Sequence, residues 1–115
     1  MHIDNYQFGE IVVEGNKYHS DVIIYSDRIK SDWWRRKGHE LCLEDIREVL
    51  ESKPEMIIVG TGATNCMRIL AETEKYLHSQ GIKLIALPTE KAVKTYNQLI
   101  SEGKKNIVVC LHLTC

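Results

Sequence analysis

The sequence predicts an α/β fold: a single compact domain over residues 1–115, with an N-terminal β-hairpin and then an α-β-α-β-α-β unit. Together these form a mixed sheet flanked by helices, in three layers. Three observations carry this reading. Two β-rich runs flank the turn chemistry of Glu14-Gly15-Asn16. A helical period begins at Leu43. Three short apolar runs then follow at residues 56–59, 82–87 and 107–111, separated by segments long enough for helices. Strands joined in that way are normally parallel, with right-handed crossovers.

The elements follow in order. Ile11, Val12 and Val13 form the first arm of the hairpin, and residues 18–25 form the second, centred on Val22, Ile23 and Ile24. Gly and Asn between them tolerate positive φ, as a hairpin turn requires. Residues 26–38 are polar and aperiodic, so they read as loop or irregular strand. Leu43, Ile46, Val49 and Leu50 then share one helical face, with Glu44 and Asp45 at the dipole's positive end. Lys53-Pro54 ends this helix. Residues 56–59 read as a strand buried on both faces. A glycine loop follows, then an extended stretch at residues 66–70, then a helix over about 71–80 with Thr73, Tyr76 and Leu77 inward. Gly81 suits a left-handed C-cap. Residues 82–87 read as a second buried strand. Thr89 is placed to cap the next helix, whose stripe is Ala92, Val93, Tyr96, Leu99 and Ile100. Gly103 closes that helix, and residues 107–111 form the last strand.

Bulk composition narrows the function. With 43% hydrophobic and 27% charged residues, the chain can bury its own core without disulfides or a structural metal. The formal net charge of −1 provides no general field for nucleic acid or an anionic membrane. No apolar run approaches a membrane span, and the first ten residues lack the pattern of a signal peptide. A cytoplasmic location is the default expectation. Cys42, Cys66, Cys110 and Cys115 include no C-x-x-C pair and read as reduced thiols.

Two stretches carry the candidate chemistry. Gly60-Thr61-Gly62-Ala63-Thr64-Asn65 follows a strand, but it is not a dinucleotide fingerprint: Asn65 stands where the third glycine is needed, and the helix is delayed. No Gly-Lys-Ser/Thr follows, so it is not a P-loop. Two readings stand side by side. Gly60 and Gly62 supply positive φ for a sharp reversal, or the loop is an anion-binding nest aided by Thr61, Thr64 and Asn65. The second stretch, Asp32-Trp33-Trp34-Arg35-Arg36-Lys37-Gly38-His39, is basic and aromatic. Residues 28–37 carry +4 and the remainder of the chain −5. Trp and Arg are common anchors at protein interfaces. The plain alternative is one Trp capping the core beside solvated arginines. Cys110 and His112 share a face of the last strand, which permits two metal ligands without completing a four-ligand site; His39 and Cys42 are the residues that could join them. They read as a buried strand end.

Several segments together resemble the Mth-938-like family, domain of unknown function 498. They are "FGEIVVEGNKYHSDVIIY", "WWRRKGHEL", "IIVGTG", "TEKYLHSQGIKLIALPTEKAVKTYNQLISEGKK" and "LHLTC", in that order and nearly end to end. Eukaryotic relatives in that family include adipogenesis-associated proteins and a mitochondrial complex I assembly factor. The resemblance implies a compact α/β domain with a mixed sheet. It supplies no enzymatic activity and no catalytic residues. Leu70 departs from the pattern, since family members often have a proline there.

The expectation is therefore a non-catalytic binding or assembly module with no cofactor and no metal. Its surface would combine Trp33, Trp34, Arg35 and Arg36 with the loop Gly60, Thr61, Gly62, Thr64 and Asn65. The partner would be a protein. The alternative is a small anionic or phosphorylated ligand at the loop, with Arg35 or Arg36 neutralising charge and His39 carrying protons. Neither a membrane nor a nucleic acid is an expected partner. The sequence carries no signal for an oligomeric state.

Overall fold

The computed structural model describes residues 1–115. Its centre is a mixed five-stranded sheet in the order β5-β4-β10-β7-β9. These strands are β4 (Val22–Ile24), β5 (Ile29–Lys30), β7 (Met56–Gly60), β9 (Lys83–Leu87) and β10 (Ile107–Leu111). β7 pairs in parallel with both β10 and β9, whereas β4 runs antiparallel to β10 and to β5. Each parallel step is bridged by a helix: α2 (Ala71–Ser79) leads into β9, and α3 (Thr89–Ser101) leads into β10.

Alternation along these strands sorts their side chains into two cores. Val22, Ile24, Ile58, Val109 and Leu111 face one way, onto Ala92, Val93 and Tyr96 of α3. Ile23, Ile57, Val59, Val108 and Cys110 face the other way. There they meet Leu77 of α2, Val49 of α1 (Arg47–Glu51) and Ile46 in the single 3₁₀ turn before it. Since successive strand residues point to opposite faces, a continuous apolar run is what a strand between two helical layers requires. β10 lies mid-sheet and all five of its residues are buried. β9 is an edge strand and is only half-buried, so residues 82–87 are apolar without being fully enclosed.

The N-terminal part is more elaborate than a hairpin. β1 (Ile3–Gln7), β2 (Glu10–Val13) and β3 (Asn16–Tyr18) form their own antiparallel sheet. Ile3, Ile11 and Val13 cover the α3 side of the core. The expected second arm, residues 18–25, is split. Its start pairs with β2 across the Gly15 turn, and its end, β4, belongs to the main sheet. His19, Ser20 and Asp21 carry the chain from one sheet to the other. A further pair, β6 (Glu40–Leu41) and β8 (Arg68–Ile69), ties the middle of the chain to the stretch after the glycine loop.

Two local expectations are corrected. Tyr76 is 40% exposed, so the inner face of α2 consists of Thr73 and Leu77. Thr89 does not cap α3, because its hydroxyl is engaged elsewhere: it donates to the His112 carbonyl at 2.6 Å and accepts from the Gly62 N–H at 2.9 Å. Pro88 holds the cap position instead, and its carbonyl accepts from the Ala92 N–H. Leu70 has φ −66°, the angle a proline would impose, so α2 starts in place without one.

The two loop glycines serve different needs. Gly62 has φ +107°, and a Cβ there would collide with the backbone carbonyl of Cys115. Gly60 has no positive φ. Its lack of a side chain lets Leu111 and Thr89 approach, the nearest atom lying 2.7 Å from where a Cβ would be. The positive-φ reading therefore holds for Gly62 alone. Gly62→Ala is expected to cost about 2–4 kcal/mol, from backbone strain plus overpacking against main chain. Gly15→Ala, at φ +80° in open space, should cost only about 1 kcal/mol. Urea denaturation of the two variants checks the contrast.

Candidate functional site

The carboxyl ends of β7, β9 and β10 meet at one edge of the sheet, where open α/β sheets commonly place ligands. The connections are direct: the His112 N–H donates to the Gly60 carbonyl and the Thr61 N–H to the Leu87 carbonyl. Beyond this edge, residues 112–115 run alongside the glycine loop. The Ala63 N–H donates to Thr114 and the Cys66 N–H to Cys115. The Asn65 N–H turns back to Gly62, and the Thr61 hydroxyl donates to the Asn65 side-chain carbonyl. With Gly62 bound to Thr89, the N–H groups of residues 61, 62, 63, 65 and 66 all have acceptors in this chain. As folded, the loop spends these donors on its own architecture rather than presenting them as an open nest.

The centre of the site is an ionic cluster that the sequence did not announce. Asp21 lies just before β4, beside the end of β10. Its Oδ1 accepts from the Leu113 N–H at 2.8 Å, and its Oδ2 lies 2.8 Å from His112 Nδ1. Arg35 is buried rather than solvated, with its side chain 4% exposed. Its Nη1 lies 2.9 Å from Asp21 Oδ2, an ionic contact rather than a well-directed hydrogen bond. Its Nε and Nη2 donate to the Gly38 carbonyl at 3.3 and 3.1 Å, and its guanidinium stacks over the Trp33 ring at 4.6 Å.

This geometry assigns the His112 tautomer. Nδ1 has both Asp21 Oδ2 at 2.8 Å and Arg35 Nη2 at 3.0 Å, and one nitrogen cannot both donate and accept. The carboxylate contact is the shorter, and Nη2 already has the Gly38 carbonyl, so Nδ1 carries the proton and donates to Asp21. Nε2 is buried without a partner in the chain. Burial alone would push the Asp21 carboxyl up. The hydrogen bonds from His112 and Leu113 and the Arg35 charge outweigh it, so the group is held below the usual aspartate range.

The Trp-basic stretch is rigidly held. The Trp33 N–H donates to the Asp21 carbonyl at 2.9 Å, and the indole Nε1 donates to the Asp45 carbonyl at 2.9 Å. The Arg36 N–H donates to Asp45 Oδ1 at 3.0 Å. Trp33 and Arg35 point inward, and Trp34 and Arg36 outward. Trp34 is 77% exposed. Beside it an open cavity of about 510 Å³ is lined by Lys30, Asp32, Arg36, Asp45 and Glu48, among others, and by no residue of the glycine loop. The local +4 is largely matched in space. Arg28 meets Asp27, Lys30 meets Glu48, Arg35 meets Asp21 and Lys37 meets Glu40, which leaves the Arg36 guanidinium outside any ion pair.

The remaining candidates divide. His39 stands near the tail, its ring centroid 5.9 Å from that of His112 and its Nε2 3.8 Å from Cys115 Sγ. Cys110 is fully buried, and burial pushes its thiol up to about 12, against a smaller opposing effect of Arg35. It is a core side chain, not a nucleophile. No group of three or more His, Cys, Asp or Glu side chains is placed to hold a metal ion. No helix is long and apolar enough to cross a membrane.

The fold and this site define a three-layer α/β domain whose glycine loop is hydrogen-bonded to residues 112–115 beside an Asp21–Arg35 ion pair. Residues 3–112 match the family described as Protein of unknown function (DUF498/DUF598), and the chain belongs to that family. It is similar to a conserved hypothetical protein from Pyrococcus horikoshii OT3, at 29% identity, full coverage of both chains and a TM-score of 0.84. It is similar also to the structure named MT938, at 27% identity, with 99% and 98% of the two chains covered and a TM-score of 0.80. A Bordetella pertussis protein described as a Mth938-like domain shares the fold, at 20% identity, 97% and 85% coverage and a TM-score of 0.77.

Asp21→Asn is expected to cost about 3–5 kcal/mol, because it strands the Arg35 charge in a buried setting. The acid dependence has a definite sign. A carboxyl held below its unfolded value near 3.8 gives its full stabilisation above that pH, and the stabilisation is lost as pH falls towards the lower folded value. Urea midpoints measured from pH 6 to pH 2 should therefore show a fall below about pH 4 in the wild type. The corresponding increment should be absent from Asp21→Asn.

Proposed function

We propose that this domain is a non-catalytic binding module that docks a protein partner through Trp34 and Arg36. One observation carries the reading: a large aromatic side chain stands 77% exposed on a segment that four buried or half-buried neighbours hold in place. Trp33 and Arg35 clamp that segment from within, and Asp21 and Asp45 bind its backbone and side chains. A pre-ordered Trp costs little entropy on docking, and rigid Trp and Arg anchors dominate interface energetics. The Arg36 guanidinium beside it is free to meet a carboxylate. The fitting partner has an apolar pocket for an indole with an acidic residue at its rim.

Arg35 belongs to the scaffold of this surface rather than to its face. The glycine loop supports the surface indirectly, since Arg35 reaches His112 and the His112 ring packs against Gly62. The surface is not a basic patch, because the cations around Arg36 are paired with carboxylates of their own segment and of the turn and helix at residues 43–51. That pairing favours a protein partner over a nucleic acid, which would draw on unpaired cations.

The test compares captured partners. A partner recovered with the wild-type chain should bind Trp34→Ala at least about thirtyfold more weakly, the loss expected of an anchor residue. Arg36→Glu should weaken binding as well. Phe8→Ala removes another exposed aromatic, at the tip of the β1–β2 turn, and should leave affinity unchanged. Equal affinity of wild type and Trp34→Ala for the same partner would refute the assignment.

A further inference from the structure

Cys66 and Cys115 are both exposed free thiols, and the fold brings them to one place from positions 49 residues apart. The Cys66 N–H donates to the Cys115 carbonyl at 3.1 Å, and the neighbouring Ala63 N–H donates to Thr114. The Cys66–Cys115 hydrogen bond puts the two residues in direct main-chain contact, the kind of proximity a disulfide needs, since it spans Cα atoms about 4.4–6.8 Å apart. The Thr64 hydroxyl touches both residues, lying 3.0 Å from Cys66 Sγ and 3.2 Å from the Cys115 carbonyl. His39 Nε2 lies 3.8 Å from Cys115 Sγ, where it can take the thiol proton.

We propose that Cys115 and Cys66 form a reversible thiol–disulfide site, with Cys115 as the attacking sulfur, His39 as its proton acceptor and Cys66 as the resolving thiol. The substrate class is a low-molecular-weight disulfide such as glutathione disulfide. His39 accepts the Cys115 proton, and the thiolate attacks one sulfur of the small disulfide. The small S–S bond breaks, a mixed disulfide forms on Cys115, and one small thiolate leaves. Cys66, losing its proton to solvent, then attacks the Cys115 sulfur and expels the second small thiolate. The leaving thiolates take up the two protons. Overall, two protein thiols are oxidised to one disulfide, and one small disulfide is reduced to two thiols. Cys42 is only half exposed and Cys110 is buried, so neither competes well for the small disulfide.

Closure requires the two sulfurs to turn from Thr64 and His39 towards each other, across backbones that are already hydrogen-bonded. The bond would fasten residues 112–115 to the glycine loop on the same edge that holds Asp21, His112 and Arg35. The device is independent of the Trp34 surface: its residues do not line the cavity beside Trp34.

The test exposes the fully reduced chain to glutathione disulfide and follows intact mass and peptide maps. The expected product is an internal Cys66–Cys115 crosslink without retained glutathione. Cys66→Ser should trap a single glutathione on Cys115, and Cys115→Ser should form no internal crosslink. His39→Gln should slow capture at Cys115 about tenfold, the scale expected when a thiol loses its base. Glutathione retained on both cysteines of the wild type, or a disulfide between two chains in place of the internal one, would overturn the proposal. So would an unmodified chain at a glutathione disulfide excess that readily modifies a small free thiol. An unchanged rate in His39→Gln would remove His39 from the site. Circular dichroism on each variant separates loss of fold from loss of reaction.

Discussion

The contact between Asp21 and Arg35 is the constraint on which the rest of the carboxyl edge depends. A guanidinium 4% exposed cannot be left without a counter-charge, and Asp21 is the carboxylate that meets it. The same carboxylate receives the Leu113 N–H and the His112 ring. One side chain thus joins the start of β4, the Trp-basic segment and the chain leaving β10. Each of those pieces is irregular on its own. They become ordered because two hydrogen bonds and one ionic contact converge on one carboxylate, and because Gly38 and Trp33 take up the remaining faces of the guanidinium.

From that junction the order spreads to both sides of the sheet. His112 continues β10, so fixing its ring fixes the register of the chain after the strand. Its backbone carbonyl receives the Thr89 hydroxyl, and the same hydroxyl receives the Gly62 N–H. Thr89 starts α3 on one face, while Trp33 and Arg35 lie with the core on the other. The two cores do not touch through the sheet. They are coordinated at its edge by these few polar contacts, which apolar packing alone would not specify, since packing is tolerant of small shifts and hydrogen bonds are not.

Much of this fold is legible in the sequence because it follows from periodicity. Continuous apolar runs mark β7 and β10, and spacings of three and four mark the helices around Leu43 and Ala92. What was not legible depends on partners far away in the chain. The run from Tyr18 to Tyr25 reads as one strand, yet Asp21 breaks it, because a charged residue there serves Arg35 and His112 rather than a ladder. A lone acid directly before Val22-Ile23-Ile24 was the available signal. Arg35 reads as solvated, as most arginines are, and its burial makes sense only once Asp21 is seen. Thr89 reads as a helix cap from its place after Pro88, but a cap oxygen must accept from the helix's own N–H groups, and this one accepts from Gly62 while its proton goes to the His112 carbonyl. Trp34 and Arg36 are the pair of the Trp-basic stretch whose outward placement suits docking. Their separation from the inward pair follows from alternation, once Trp33 is recognised as the core residue.

The glycine loop shows why a motif's composition underdetermines its role. A Gly-x-Gly after a buried strand has N–H groups close together, and in a nucleotide site these remain available to phosphate oxygens. Here the chain supplies the acceptors itself: Leu87, Thr89, Thr114 and Cys115 receive the N–H groups of residues 61, 62, 63 and 66. The glycines are required all the same, but for a different reason. Gly62 must turn with positive φ under the Cys115 carbonyl, and Gly60 must let Leu111 and Thr89 close in. Such a loop is a joint between two strand ends. An anion could reach the Ala63 and Cys66 donors only by displacing residues 114 and 115, and with them the contact that holds Cys66 beside Cys115. Ligand access to the loop and closure of that thiol pair are therefore alternatives in the same space.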